Sequence, residues 1–137
     1  MKAVVDTNVV AYLLLGTDRF VEEAREFMAA LDEAWAPALW EAELANALWM
    51  AIRHGVLLLD EAAKRLVLAD GLAIHSVPNR TLWQGALVRA NDANIAVYDT
   101  LFVELAARER VPLATFDAAV LRAFPDIAVR PGRLVSR

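Results

Sequence analysis

The sequence has no cysteine, so disulfides and thiolate metal sites are excluded. Histidine is scarce. His54 and His75 stand alone, without a second histidine at ligand spacing, and both are expected to be structural, His54 as a cation suited to a helix end. No apolar run approaches the roughly 20 residues of a membrane span. Met1-Lys2 leads straight into the first apolar run, leaving no room for a signal peptide, and together these features point to the cytoplasm. Basic charge is in deficit: 14 Lys and Arg against 18 Asp and Glu give a formal net charge of −4. That argues against a general nucleic-acid coat protein, which needs a broad basic surface. It does not exclude an enzyme that meets nucleic acid at a local acidic site, and it suits a basic partner. Repeats, low-complexity segments and linkers are also missing.

What is present is apolar residues, 58% of 137, enough for one sizeable core and a single domain over residues 1–137. Ala3-Val4-Val5 predicts a strand, ended by Asp6. A helix follows from about Asn8 to Leu15 and stops at Gly16. A second, with Asp18 as its expected N-cap, carries Phe20, Val21, Ala24, Phe27, Met28 and Leu31 at helical spacing. Trp35-Ala36 predicts a short strand. The helix over Ala38–Arg53 is apolar on nearly every side and so is expected to be buried or at an interface. Helices are expected at about Asp60–Ala69 and Thr81–Asn91, and strands at Ile74–Val77, Val111–Thr115 and Ile127–Arg130. Ile95–Val97 reads as strand or loop, Asp99 opens a helix to about Arg110, and Ala118–Ala123 is a short helix. Strands alternating with helices predict an α/β fold, a parallel sheet with helices on both faces.

Four carboxylates stand out. Asp6, Asp99 and Asp117 each lie where an apolar segment hands over to a helix, and each could simply cap that helix. Glu43 lies inside the apolar third helix with Asn46 on the same face, while nearby Glu41 can take the exposed side. Glu43 could equally be exposed near the helix N-terminus, favoured by the macrodipole. Parallel strands place their C-terminal ends on one edge, so Asp6 and Asp117 converge there, and the neighbouring helices can bring Asp99 and Glu43. Four carboxylates close together stay ionised only with compensating cations. An all-oxygen set suits Mg²⁺ or Mn²⁺, which support in-line phosphodiester hydrolysis.

Four stretches, Val4-Val5-Asp6-Thr7-Asn8, Glu43-Leu44-Ala45-Asn46, Tyr98-Asp99 and Leu113-Ala114-Thr115-Phe116-Asp117, occur in the order and at about the spacing found in PIN-domain ribonucleases. Over essentially its whole length the chain resembles that family, and more narrowly the VapC-type toxins of type II toxin–antitoxin pairs. The resemblance implies a three-layer α/β/α sandwich with a five-stranded parallel sheet. It implies a metal-dependent endoribonuclease with Asp6, Glu43, Asp99 and Asp117 around Mg²⁺ or Mn²⁺, supported by Asn8 and Thr115. It also implies a homodimer and a cognate antitoxin whose C-terminal tail enters the site. One departure is Glu104, where the family commonly has a small residue; its default is a solvated side chain. The alternatives are a PIN nuclease of RNA processing without an antitoxin and a catalytically silent PIN-fold binding module. A receiver domain is disfavoured, lacking a paired aspartate near Asp6 and a strand-end lysine. Trp35, Trp40, Trp49 and Trp83 are read as core, with an exposed interface subset as the alternative. Arg53, Lys64, Arg65, Arg80 and Arg89 could meet RNA phosphates, although scattered cations are usually just solvated.

Overall fold

The computed structural model describes residues 1–135. Five strands, β1 (Lys2–Val5), β2 (Glu33–Pro37), β3 (His75–Val77), β4 (Leu113–Ala114) and β5 (Ala128–Val129), form one sheet in the order β3-β2-β1-β4-β5. Every neighbouring pair is parallel. Among the described residues eight α-helices surround it: α1 (Thr7–Leu15), α2 (Val21–Ala30), α3 (Leu39–Arg53), α4 (Leu59–Asp70), α5 (Trp83–Ala93), α6 (Val97–Glu109), α7 (Ala118–Ala123) and α8 (Pro131–Val135). This is the α/β sandwich expected from the alternation of patterns. Ala3, Val4 and Val5 are fully buried, as a central parallel strand covered on both faces requires. No helix among the described residues is long and apolar enough to cross a membrane.

Chain order reverses in the sheet at β1. From there β2 and β3 extend one way, while β4 and β5 extend the other. The crossovers therefore part above the C-terminal ends of β1 and β4, the place where open α/β sheets bind ligands. Asp6 and Thr115 follow those two strand ends.

Several elements differ from the sequence expectation. Asp18 does not cap α2; a turn through Thr17, whose carbonyl accepts from Phe20 and Val21, delays the helix to Val21. Ile95–Val97 forms no strand. Asn94 takes the left-handed conformation (φ 56°) and caps α5 at its C-terminus, so α6 starts at once with Val97. Asparagine tolerates that backbone better than most residues. The helix buried all round is α6, in which every residue from Thr100 to Ala106 is buried. In contrast, α3 buries one stripe, Trp40, Leu44, Leu48 and Ala51, and leaves Trp49 and Met50 exposed. The tryptophans thus divide: Trp40 is core, with its indole N–H donating to Ser76; Trp35 packs on His75; Trp49 and Trp83 face outward.

Glu104, expected to be solvated, is buried. Its two oxygens accept from Arg89 (2.9 Å) and Arg108 (2.6 Å), tying α5 to α6. Burial alone would raise its pKa, but the two guanidiniums outweigh it and hold the carboxyl below its usual range. Gly85 on α5 leaves the room this needs, since a Cβ there would stand 2.4 Å from the Glu104 carboxyl carbon. Glu104→Ala is expected to cost about 2 kcal/mol in urea denaturation, because two charge-assisted hydrogen bonds are lost at once. An unchanged midpoint would show that the triad contributes no net stability.

Candidate functional site

Asp6 is the most deeply placed of the four carboxylates. It follows β1, only 7% exposed, and its backbone N–H donates to the carbonyl of Ala114. Its side chain does not cap α1. Instead, one carboxylate oxygen accepts from the Thr115 hydroxyl at 2.8 Å. Burial pushes the Asp6 pKa up to about 7; the Thr115 hydrogen bond opposes this, while Asp99 and Glu43 add to it by charge repulsion.

Thr115, fully buried, is the hub at the end of β4. Its hydroxyl donates to Asp6 and accepts from the Asp117 N–H (3.0 Å) and the Asn8 side-chain amide (3.4 Å). One donor and two acceptors are all a hydroxyl offers. The Asn8 amide oxygen in turn accepts from the Phe116 N–H at 3.4 Å, so Asn8 bridges the start of α1 to the end of β4. Thr115→Val is expected to lower stability by about 2–3 kcal/mol, stripping the buried carboxylate of its hydroxyl and orphaning the Asp117 N–H. Thr115→Ser should restore most of it. Equal stability of Thr115→Val and wild type in urea denaturation would remove Thr115 from this role.

Glu43 is half-buried on α3, and Glu41 is exposed, which is the contrast expected of the pair. A Glu43 oxygen accepts from the Thr7 hydroxyl at 2.8 Å. Burial raises the Glu43 pKa, the Thr7 bond opposes that, and the Asp99 charge raises it further. Thr7 is the residue that sequence reasoning missed. Its signal was a hydroxyl directly after the strand-end aspartate, and it is buried for this contact. Asn46 shares the helix but is exposed and makes no side-chain hydrogen bond to the four carboxylates among the described residues.

Asp99 lies inside the first turn of α6, whose cap position is Ala96, so it is not the cap. Burial raises its pKa first, and the Asp117 charge adds to that. Asp117 does cap its helix: Oδ1 accepts from the N–H groups of Ala119 (2.9 Å) and Val120 (3.1 Å) at the start of α7. Its Oδ2 has no hydrogen bond among the described residues.

The four carboxylates are thus close enough to perturb one another, and none forms an ion pair among the described residues. A buried carboxylate without a counter-charge is costly unless neutralised or bound to a metal. The donors are all oxygen, which fits Mg²⁺ or Mn²⁺ in chemistry. In geometry the set is open: among the described residues no three acidic or histidine side chains already converge as a ligand shell.

Comparison with known proteins places this architecture. The family model for the PIN domain matches residues 3–126. Ribonuclease VapC3 of Pyrobaculum aerophilum is 31% identical over 131 residues, spanning 93% of this chain and 98% of that protein. Among solved structures, a chain of a toxin–antitoxin complex from Klebsiella pneumoniae matches with a TM-score of 0.65 at 17% identity, covering 94% of this chain and 97% of that one. At that identity the likeness speaks for the fold.

Proposed function

The chain belongs to the PIN-domain family, and from that premise we propose that it is a divalent-metal-dependent endoribonuclease, the toxin of a type II toxin–antitoxin pair. The observation that carries the reading is Asp6: a buried carboxylate at the reversal of the sheet, within charge-repulsion range of Glu43 and Asp99 and in no ion pair among the described residues. The ribonuclease activity named for the 31%-identical relative supports RNA as substrate, and the toxin–antitoxin complex among structural neighbours supports an antitoxin partner.

In this reading Asp6, Glu43, Asp99 and Asp117 would hold Mg²⁺ or Mn²⁺. Such an ion, when bound, polarises the scissile phosphate, lowers the pKa of an attacking water and stabilises the leaving oxygen. The chain's own residues set the donors. Thr115 fixes the Asp6 carboxylate, Thr7 fixes that of Glu43, and the α7 cap orients Asp117 with one oxygen left over. His54 ends α3 and His75 packs at a tilt against Trp35, and neither hydrogen-bonds to the four carboxylates among the described residues. Exposed apolar residues, Trp49, Met50, Val56, Leu59 and Val67 among them, support protein partners, the antitoxin and a second copy in a homodimer. The net charge of −4 suits an antitoxin tail with a basic side chain.

The test is incubation of the purified chain with transfer and ribosomal RNA in Mg²⁺, in Mn²⁺ and in EDTA, together with co-expression with its neighbouring gene. Cleavage in the metals alone, suppressed by the co-expressed partner, is the expected result. Metal-independent cleavage, or none in any buffer, would overturn the reading. Cleavage with harmless expression of the chain alone would favour an RNA-processing nuclease.

A further inference from the structure

The last hydrogen bond between β4 and β5 runs from the Thr115 N–H to the Val129 carbonyl at 3.1 Å. Beyond it the sheet no longer holds the chain, yet the next two residues are Phe116 and the carboxylate Asp117. Among the described residues their N–H groups donate only to side chains, Phe116 to Asn8 at 3.4 Å and Asp117 to Thr115 at 3.0 Å. A bond of 3.4 Å is long and correspondingly weak. The firmer anchor of this turn is the Phe116 ring. It packs 5.5 Å from the ring of Tyr12 on α1 and 4.8 Å from that of Phe20 just before α2. Arg130, the residue after β5, lays its guanidinium 5.1 Å from the centre of the Phe116 ring and 5.8 Å from that of Phe20.

Arg130 is itself fixed. Its Nε and Nη2 donate to the two oxygens of Glu23 on α2, at 3.2 and 2.7 Å. That hydrogen bonding holds the Glu23 carboxyl below its usual range, so the pair is ionised. The Gly132 N–H donates to the same carboxylate at 2.9 Å, and a Cβ on Gly132 would stand 3.0 Å from it. A planar fork that is bidentate to a carboxylate and flat against a ring is what arginine offers and lysine does not. Among the described residues Arg130 is the one arginine that both pairs with a carboxylate and lies over aromatic rings. The rings it covers include the side chain between Thr115 and Asp117.

We propose that Arg130 is a positioning residue for the metal site. Held by Glu23, it packs on Phe116 and so fixes the Thr115–Asp117 turn, which carries one carboxylate, Asp117, and the hydroxyl that holds another, Asp6. Arg130 itself touches neither cation nor RNA. The inference rests on the metal-dependent reading above and adds what stands behind its donors.

The experiment compares wild type with Arg130→Met, Arg130→Lys and, as a control, Arg25→Met on the exposed side of α2. The readouts are Mn²⁺ binding by isothermal titration calorimetry, amide hydrogen exchange by NMR in EDTA, melting temperature, and RNA cleavage. Arg130→Met is expected to raise the Mn²⁺ Kd about tenfold, the low end of the roughly 10–100-fold effect of residues that support metal ligands. Its Phe116 and Asp117 amides should exchange about tenfold faster while the Thr115 amide, bonded within the sheet, is unchanged. At saturating Mn²⁺ the KM for RNA should stay within about twofold of wild type. Arg130→Lys keeps the charge opposite Glu23 but loses the fork and the flat face, and should raise the Mn²⁺ Kd about threefold. Arg25→Met should change none of these. Wild-type Mn²⁺ affinity in Arg130→Met, whatever its melting temperature, would make the clamp mere scaffold and overturn the proposal. If Arg130→Met does not fold, Arg130→Lys decides by the same criterion. A raised KM for RNA with Mn²⁺ affinity unchanged would place Arg130 on the RNA and overturn it equally. In each of these cases wild type still binds Mn²⁺ and the ribonuclease reading stands. A wild type that binds no Mn²⁺ takes down the four-carboxylate site and this inference with it.

Discussion

Asp99→Asn and Asp6→Asn are each expected to reduce Mn²⁺-supported RNA cleavage about a thousandfold, the factor that about 4 kcal/mol of lost transition-state stabilisation produces. The exchange keeps size and shape and removes only the charge a cation needs. Asp99 makes no side-chain hydrogen bond among the described residues, so its amide breaks nothing in the fold and the melting temperature should not fall. The other two positions separate site from scaffold. Asn is itself a good helix cap, so Asp117→Asn keeps the start of α7 and tests the charge alone, whereas Asp117→Ala loses two backbone hydrogen bonds as well. Glu43→Gln still offers an oxygen to the Thr7 hydroxyl. Residues that act as one unit are strongly non-additive, so the Asp6→Asn/Asp99→Asn double variant should be hardly slower than either single variant. Cleavage by either single variant within tenfold of wild type, at saturating Mn²⁺, would sink the four-carboxylate assignment.

That Asp6 and Asp117 share one edge of the sheet was foreseeable because parallel strands end on the same side, and hydrophobic pattern located the strands well enough. Their finer roles were not visible. Asp6 and Asp117 look alike in sequence, each an aspartate between a strand and a helix, yet one is buried and does not cap, and the other caps. The difference is tertiary: β1 lies in the middle of the sheet, and the Thr115 hydroxyl reaches Asp6 across 109 residues of sequence. Thr7 was hidden for the same reason, its partner being 36 residues away.

Glu104 shows where local reasoning fails outright. On helical spacing it falls away from Asp99, and a lone glutamate among apolar neighbours reads as a solvated side chain. Two arginines, one of them on another helix, and a glycine that leaves room for the carboxylate decide otherwise. Likewise, α3 and α6 are both rich in apolar residues, and composition alone suggested α3 as the buried one. It is α6 that packs across β1, β2 and β4, more of the sheet than α3 meets, and a property of packing order of that kind is carried by no single helix.

In metal-free buffer the protein is expected to lose stability as the pH rises from about 4 to about 7, and Asp6→Asn is expected to abolish most of that loss. The Asp6 carboxyl has an ordinary pKa of 3.8 in the unfolded chain and about 7 in the folded one, so the folded state binds its proton more tightly. Below 3.8 both states are protonated and folding gains in full from the neutral form. Between the two values only the unfolded state ionises freely, and stability falls with each pH unit; above about 7 it levels off. At 1.36 kcal/mol per pH unit the whole window is worth about 4 kcal/mol, an upper value because water reaching the site would screen the charge. Glu43 and Asp99 are raised in the same direction and steepen the loss. A divalent cation reverses the sign, since it binds the ionised form and stabilises by mass action in proportion to its excess over Kd. Mn²⁺ should therefore raise the melting temperature strongly at pH 8 and hardly at pH 5. At pH 8 in EDTA, Asp6→Asn should melt about 5 °C or more above wild type, because the neutral amide keeps an acceptor for Thr115 without a buried charge. In Mn²⁺ that order should invert, the variant having lost the ligand that the cation stabilises. Melting curves of both proteins at pH 5 and pH 8, with EDTA and with Mn²⁺, decide it. A wild-type profile flat with pH in EDTA, or a variant less stable than wild type there, would mean that Asp6 is not held as an uncompensated carboxylate.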